Sequence, residues 1–289
     1  MAKELTLKAR LGAIRHTIAL DSGETVYYEY PGNESKTLVL IHGYRGNHRG
    51  LEGIAGALKF RVLIPDLPGF GDSPELKTEH TVSAYAKWLR EFLEAIGSGD
   101  EAIIVGHSFG TLVVGHYLTE HPALKAVLIN PVSAPALSGP RAIFTQLAKA
   151  YYALADWLPE RIGEALLRWR ASVMVMSIAM AKTKNRELRS WIHRQHLDNF
   201  SDFSSVRVAS EGYLASISEN LGEMAKRIET KVLIIATELD DITGIEKQRE
   251  VVKLYPDAQL REISGVGHLT HYEAPEIAAQ YIEEFIEGK

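Results

Sequence analysis

Five short aliphatic runs set the tightest limit on the fold: TLVLI at 37–41, RVLIP at 61–65, AIIVG at 102–106, AVLIN at 126–130 and VLIIA at 232–236. Hardly a polar side chain interrupts them, so neither face of such a strand can be left to water. Strands covered on both faces belong to parallel sheets, whose crossover helices supply the cover. Two further segments, HTIAL (16–20) and TVYYEY (25–30), alternate with period two around Asp21-Ser22-Gly23-Glu24 and predict a hairpin. AQLREI (258–263) supplies a last strand.

Helical periodicity fills the intervals. Residues 81–97 place Tyr85, Trp88, Leu89, Phe92 and Ile96 on one stripe and end at Gly97, a natural C-cap. Helices are also predicted over 112–122, 245–256 and 275–287, the last with Pro275 in its first turn. The alternation predicts an α/β fold, an open and mostly parallel doubly wound sheet with right-handed crossovers. The rhythm breaks from about Val132 to Glu229, where no strand is evident and helical patterns run over 141–158, 159–182, 186–200 and 208–228. A block of that length is too long for a simple connection. The expected organisation is a core domain of 1–132 and 230–289 with a helical cap, 133–229, inserted over the sheet.

Composition narrows the function classes. The chain has 289 residues, enough for one large α/β domain, and is 46% hydrophobic and 24% charged, as in ordinary globular proteins. Its net charge of -5, from 37 acidic against 32 basic side chains, argues against a nucleic-acid or anionic-membrane surface, leaving room only for a local basic patch. Cysteine is absent, which excludes disulfides, thiolate catalysis and zinc thiolate sites. The most apolar internal stretch, VMVMSIAMA at 173–181, is far shorter than the roughly 20 residues that span a bilayer. The first residues show no signal-peptide pattern, so a cytoplasmic location is expected. Neither G-x-G-x-x-G nor a phosphate-cradling GxxxxGK[ST] loop occurs, and no cofactor is expected. His193 and His196 form an HxxH pair without an obvious third ligand, and no metal site is expected. The partner is a small-molecule substrate; monomer and homodimer both stay open.

The third central strand runs directly into Gly106-His107-Ser108-Phe109-Gly110, and a helical pattern follows at once. G-x-S-x-G in this strand–turn–helix setting is a nucleophile elbow. The turn is so tight that side chains at the glycine positions would collide with neighbouring chain. It holds a serine hydroxyl at the C-terminal edge of the sheet and at a helix N-terminus, where amides favour developing negative charge. The first strand ends in His42-Gly43-Tyr44-Arg45-Gly46, a loop that opens on the same edge. Amides of Tyr44 and Phe109 there can face a reacting carbonyl oxygen, each worth about 3 kcal/mol.

A serine hydroxyl needs a base. Of 11 histidines, His16, His80, His116 and His121 fall at surface or boundary positions, and His107 is expected to pack beside the sheet. His268 follows the flexible Gly265-Val266-Gly267 after the last strand, on the right edge; its competitor His271 adjoins a helix entry, where a capping or surface role is expected. Adjacent Asp240 and Asp241 follow the strand at 232–236 and reach the same edge. One of them is expected to orient the histidine, fixing its tautomer, and the other to cap a turn.

The stretches LVLIHGYRG (38–46), VLIPDLPGFGDS (62–73), VGHSFG (105–110), VLIIATELDDI (232–242) and GVGHLTHYEAPE (265–276) together resemble the α/β-hydrolase superfamily, in its capped branch with a serine nucleophile. The resemblance implies the α/β-hydrolase fold, with Ser108 as nucleophile, His268 as base and the amides of Tyr44 and Phe109 as oxyanion donors. The family's acid commonly follows Gly-x-x-Asp; Thr237-Glu238-Leu239-Asp240 matches with threonine for glycine, which favours Asp240 and keeps Asp241 as the alternative. The order serine, acid, histidine is that of this fold.

The expected activity is that of a carboxylesterase-like serine hydrolase, acting through an acyl-enzyme on a small or medium, partly apolar ester. A carbon–carbon bond hydrolase or lyase on the same side chains, and a non-catalytic ligand-binding member of the fold, are the alternatives. Trp157, Leu158, Trp169, Val173, Met174, Met176, Met180 and Trp191 in the cap are expected to line the pocket or, failing that, to form the cap's own core. Arg45, His48 and Arg49 are expected to meet a substrate carboxylate or to form a solvated basic edge.

Overall fold

A computed structural model describes residues 2–135 and 142–289. The chain opens with α1 (Ala2–Gly12) and the antiparallel hairpin of β1 (Ile14–Leu20) and β2 (Gly23–Tyr30). Then come β3 (Asn33–Ile41), α2 (His48–Ala57), β4 (Phe60–Pro65), α3 (Val82–Ala95), β5 (Ile103–His107), α4 (Phe109–Leu118) and β6 (Lys125–Ile129). Among the described residues six helices follow before the next strand: α5 (Ala142–Trp157), α6 (Glu160–Leu167), α7 (Arg170–Met180), α8 (Arg186–Asn199), α9 (Val206–Ser218) and the single turn α10 (Leu221–Met224). The sheet resumes with β7 (Val232–Thr237), α11 (Ile245–Val251) and β8 (Ala258–Ile263), and the chain closes with α12 (Thr270–Glu273) and α13 (Pro275–Glu287).

The eight strands form one sheet in the order β1-β2-β4-β3-β5-β6-β7-β8. β4 to β8 and β3 run parallel, while β1 and β2 are antiparallel to their neighbours. The aliphatic runs are explained residue by residue. Val39, Ile41, Ile104, Leu128 and Ile234 face one side and pack with Leu89 and Phe92 of α3 and Leu112 and Val113 of α4. Their neighbours Leu38, Leu40, Ile103, Val105, Val127 and Ile235 face the other side, against Ile54 of α2 and Ile282 and Phe285 of α13. Successive side chains alternate faces, so only a sheet covered on both sides accepts every residue of such a run.

This is the α/β-hydrolase architecture, a mostly parallel sheet with a helical cap inserted after β6. Three local details differ from the periodicity. α1 and α2 form where no helix is predicted; α2 is capped by the Asn47 side chain accepting the Arg49 N–H. The pattern at 159–182 divides into α6 and α7 at Arg168-Trp169, and that at 208–228 divides at Glu219, whose backbone is extended. α4 begins at Phe109, earlier than its apolar periodicity shows, because the elbow itself starts the helix.

Candidate active site

Ser108 sits between β5 and α4 with φ 53° and ψ -118°, a strained backbone for a residue with a side chain. The flanking glycines are required by contact. A Cβ on Gly110 would lie 2.3 Å from the Ile41 carbonyl oxygen, and one on Gly106 would lie 2.7 Å from the Gly110 oxygen. The Ser108 N–H donates to Ile129 O at 3.0 Å, which ties the turn to β6 and occupies that amide.

His268 lies in the loop after β8, and Asp240 in the loop after β7. Nε2 of His268 is 2.7 Å from Ser108 Oγ, and its Nδ1 is 2.9 Å from Asp240 Oδ2. All three elements end on one edge of the sheet, which is why residues 28 and 160 positions apart meet. Asp240 is buried. Burial alone would raise its carboxyl; the His268 ring beside it and hydrogen bonds from His268, the Ile242 N–H and Asn130 outweigh that and hold it below the ordinary carboxylate range. Asp241 turns the other way and pairs with Lys182, at the end of α7, so the two adjacent carboxylates divide between the core and the cap.

A polar network behind Asp240 escaped the sequence. Asn130, just past β6 with φ 49°, donates through Nδ2 to Asp240 Oδ2 at 2.9 Å and to Thr237 Oγ1 at 2.7 Å. Thr237 in turn donates to Gly267 O at 2.9 Å, and the Thr270 hydroxyl donates to Asn130 Oδ1. Thr237, which stands where the family often has glycine, thus links the loop of Asp240 to the loop of His268. The available signal was positional: Asn130 ends a strand on the same sheet edge.

Other histidines correct the sequence reading. His271 is not at the surface; it is buried with Nδ1 3.1 Å from Nε2 of His107, which also reaches His268 O at 3.2 Å. Burial, reinforced by the neighbouring rings, pushes His107 down to about 3 and His271 well below its ordinary value, so both are neutral. His80 is fully buried against Glu211 rather than at a boundary. His193 and His196 both contact Ser177 Oγ through Nδ1, at 2.6 and 2.7 Å. Among the described residues no group of three or more candidate ligands is placed to hold a metal.

Arg45 is the largest departure. It is 1% exposed, not part of a solvated edge. Its guanidinium donates to Phe200 O and Leu167 O, both at 2.8 Å, and to the Tyr152 hydroxyl at 3.2 Å, and it lies over the rings of Phe200 and Phe203. His48 is likewise engaged, with Asp66 at 2.9 Å.

Two cavities meet at Ser108. The larger, about 640 Å³, runs under the cap past Tyr44, Phe109, Tyr152, Met176, Met180 and Tyr213. The smaller, about 70 Å³, lies on the side of His268, His107, His271 and His196. Met176 and Met180 therefore lie where a pocket lining was expected, whereas Met174, Trp157, Trp169 and Trp191 line neither cavity. Trp157 and Trp169 point outward, 80% and 61% exposed, and Trp191 packs with Ile192, Leu269 and Tyr272.

Among the described residues no helix is long and apolar enough to cross a membrane. Comparison with known proteins agrees with the fold. The uncharacterised hydrolase YugF of Bacillus subtilis (strain 168) is 25% identical over 274 residues, covering 91% of this chain and 95% of its own. Lipase 1 of Psychrobacter immobilis is 24% identical, with 93% and 83% covered. The crystal structure of a membrane phospholipase A superposes with a TM-score of 0.76 at 22% identity, over 99% of this chain and 90% of that one; at this identity it speaks for the fold alone. The family described as alpha/beta hydrolase fold matches residues 36–275, taking in the elbow, both carboxylates, the His268 loop and the whole cap, and the chain belongs to that family.

Proposed function

We propose that the protein is a serine hydrolase that cleaves a carboxylic ester through an acyl-enzyme, with Ser108 as nucleophile, His268 as general base and acid, and Asp240 as the orienting carboxylate. The observation that carries this reading is the unbroken line from Asp240 to His268 to Ser108, with hydrogen-bond distances of 2.9 and 2.7 Å. The strained serine at a helix N-terminus and the neutral, buried surroundings support it.

In this mechanism the substrate carbonyl turns toward the amides of Tyr44 and Phe109. Ser108 Oγ attacks the acyl carbon while its proton passes to His268 Nε2. The imidazolium so formed is stabilised by Asp240, which stays ionised. The tetrahedral intermediate collapses as the ester C–O bond breaks, and the alcohol departs with the proton from His268. Water then attacks the acyl-enzyme, giving a proton to His268, and the acid is released as Ser108 Oγ recovers it. The larger cavity, with its aromatic and methionine lining, suits a medium, partly apolar acyl group. The core of 1–132 and 230–289 would carry the chemistry and the cap of 133–229 the selection.

The test is labelling by a fluorophosphonate followed by a series of p-nitrophenyl esters of graded acyl length. Labelling of the parent protein but not of Ser108→Ala, with burst acylation on the esters, is the expected result. Turnover retained by Ser108→Ala would sink the assignment.

A further inference from the structure

The outer side of the cap is apolar in a pattern its own packing does not use. On α5, Ile143, Leu147, Leu154 and Trp157 recur at three- and four-residue spacings or their sum, so they lie along one line of the helix, and all four are exposed. The opposite side of α5, with Tyr152 and Ala155, already packs into the core. α7 repeats the motif with exposed Val175 and Ile178, and exposed Trp169 stands at its N-cap. The two helices adjoin: the Tyr151 hydroxyl of α5 reaches Ser172 Oγ of α7 at 3.4 Å. Exposed apolar side chains aligned on two adjoining helices mark an interaction site.

Charge decides what covers it. The whole-chain value of -5 hides an uneven distribution, because residues 142–199, which build α5 to α8, hold nine basic and five acidic side chains, a net of +4. The remainder of the chain is therefore at -9. α5 and α7 themselves carry Lys149, Asp156 and Arg170, a net of +1, and the rest of the excess lies on α6, α8 and their connections. A second copy docked through the cap would therefore set one net-basic segment against another. An anionic lipid surface attracts the cap and repels the body, which turns the apolar face toward the lipid. Two exposed tryptophans suit the headgroup boundary. The face is also continuous with the site, since Phe144 is 69% exposed and at the same time lines the cavity that reaches Ser108.

We propose that the outer face of α5 and α7 docks on an anionic lipid surface, and that the ester substrate is drawn from that surface past Phe144 into the larger cavity. The substrate half of this statement rests on the reading of Ser108 as an esterolytic nucleophile. The cap is thus the local basic exception to an acidic chain.

Sedimentation with vesicles tests it. The full chain at low salt should pellet with phosphatidylglycerol vesicles, bind phosphatidylcholine vesicles at least 10-fold more weakly, and be released as salt is raised. The double variant Leu147→Glu, Ile178→Glu should lose at least 10-fold in phosphatidylglycerol binding and in hydrolysis of vesicle-embedded esters, yet keep its turnover of a soluble short-chain ester. No vesicle binding, equal binding to both lipids, or full binding by the variant would overturn the proposal. So would a concentration-dependent dimer, abolished by Leu147→Glu, in a protein that ignores lipid. If the parent protein turns over no soluble ester, the reaction assignment fails, while the pelleting result still judges the surface by itself.

Discussion

Asn130 Nδ2 and His268 Nδ1 both reach the same oxygen of Asp240, Oδ2, each at 2.9 Å. The other oxygen, Oδ1, accepts the Ile242 N–H at 2.7 Å, so the carboxylate is held on both its oxygens. Replacing Asn130 with alanine removes the donor to Asp240 and to Thr237 and leaves a Cβ-bearing residue at φ 49°. A loss of about 1–3 kcal/mol in stability is expected from the hydrogen bonds alone. The kcat should fall about 10- to 100-fold with little change in KM. Urea unfolding and steady-state kinetics on one soluble ester measure the two effects.

The paired aspartates should separate cleanly. Asp240→Asn leaves the geometry but reverses the tautomer of His268, and a drop in kcat of about 10⁴ is expected by the precedent of such triads. Asp241→Asn weakens the ion pair to Lys182, which is partly exposed, and should change kcat less than about 3-fold. Equal effects from the two substitutions would contradict the division of labour seen in the fold.

Acid should unfold the protein early. His107 and His196 are buried and neutral, lowered by burial to about 3 and about 4. Unfolded, each binds a proton below about pH 6.5. Stability is therefore complete above that pH and declines as pH drops, by about 1.4 kcal/mol per unit for each ring, until the folded groups titrate. The decline from these two approaches about 3 kcal/mol per unit, and buried His271 adds in the same direction. Chemical denaturation at pH 7, 6 and 5 reads the slope. His107→Gln retains a donor for His268 O and should reduce it by one proton.

Arg45→Lys tests the cap attachment. A lysine carries the charge but not the planar fork that reaches Phe200 O, Leu167 O and the Tyr152 hydroxyl together. Loss of at least one charge-assisted bond predicts about 2–3 kcal/mol of destabilisation. Limited proteolysis should cut first within 142–229, well before the sheet is attacked.

Much of this was legible beforehand, and the reasons are local. Each central strand announced itself because both its faces are buried, so Leu38 and Val39 had to be apolar together. Ser108 was legible because a tight turn needs its glycines whatever the rest of the chain does. The histidine at 268 followed from its place after the last strand. Arg45 reads as a surface cation because two of its partners are carbonyls 122 and 155 residues away, and carbonyls leave no mark in a sequence. His271 reads as a capping or surface residue because its neighbour, His107, lies 164 positions earlier in the chain. Trp157, bulky and apolar, is expected in the pocket or in the cap's own core, and it is in neither. A helix apolar on two sides gives no sign of which side looks inward.

Residue 45 immediately follows residue 44, yet its side chain belongs to the roof rather than to the loop that bears it. Transplanting the helical roof of a related enzyme onto this base would leave a buried guanidinium with none of the acceptors it now satisfies. The base and its roof are therefore not interchangeable parts; whichever lineage or engineer trades one must rewrite position 45 in the same stroke.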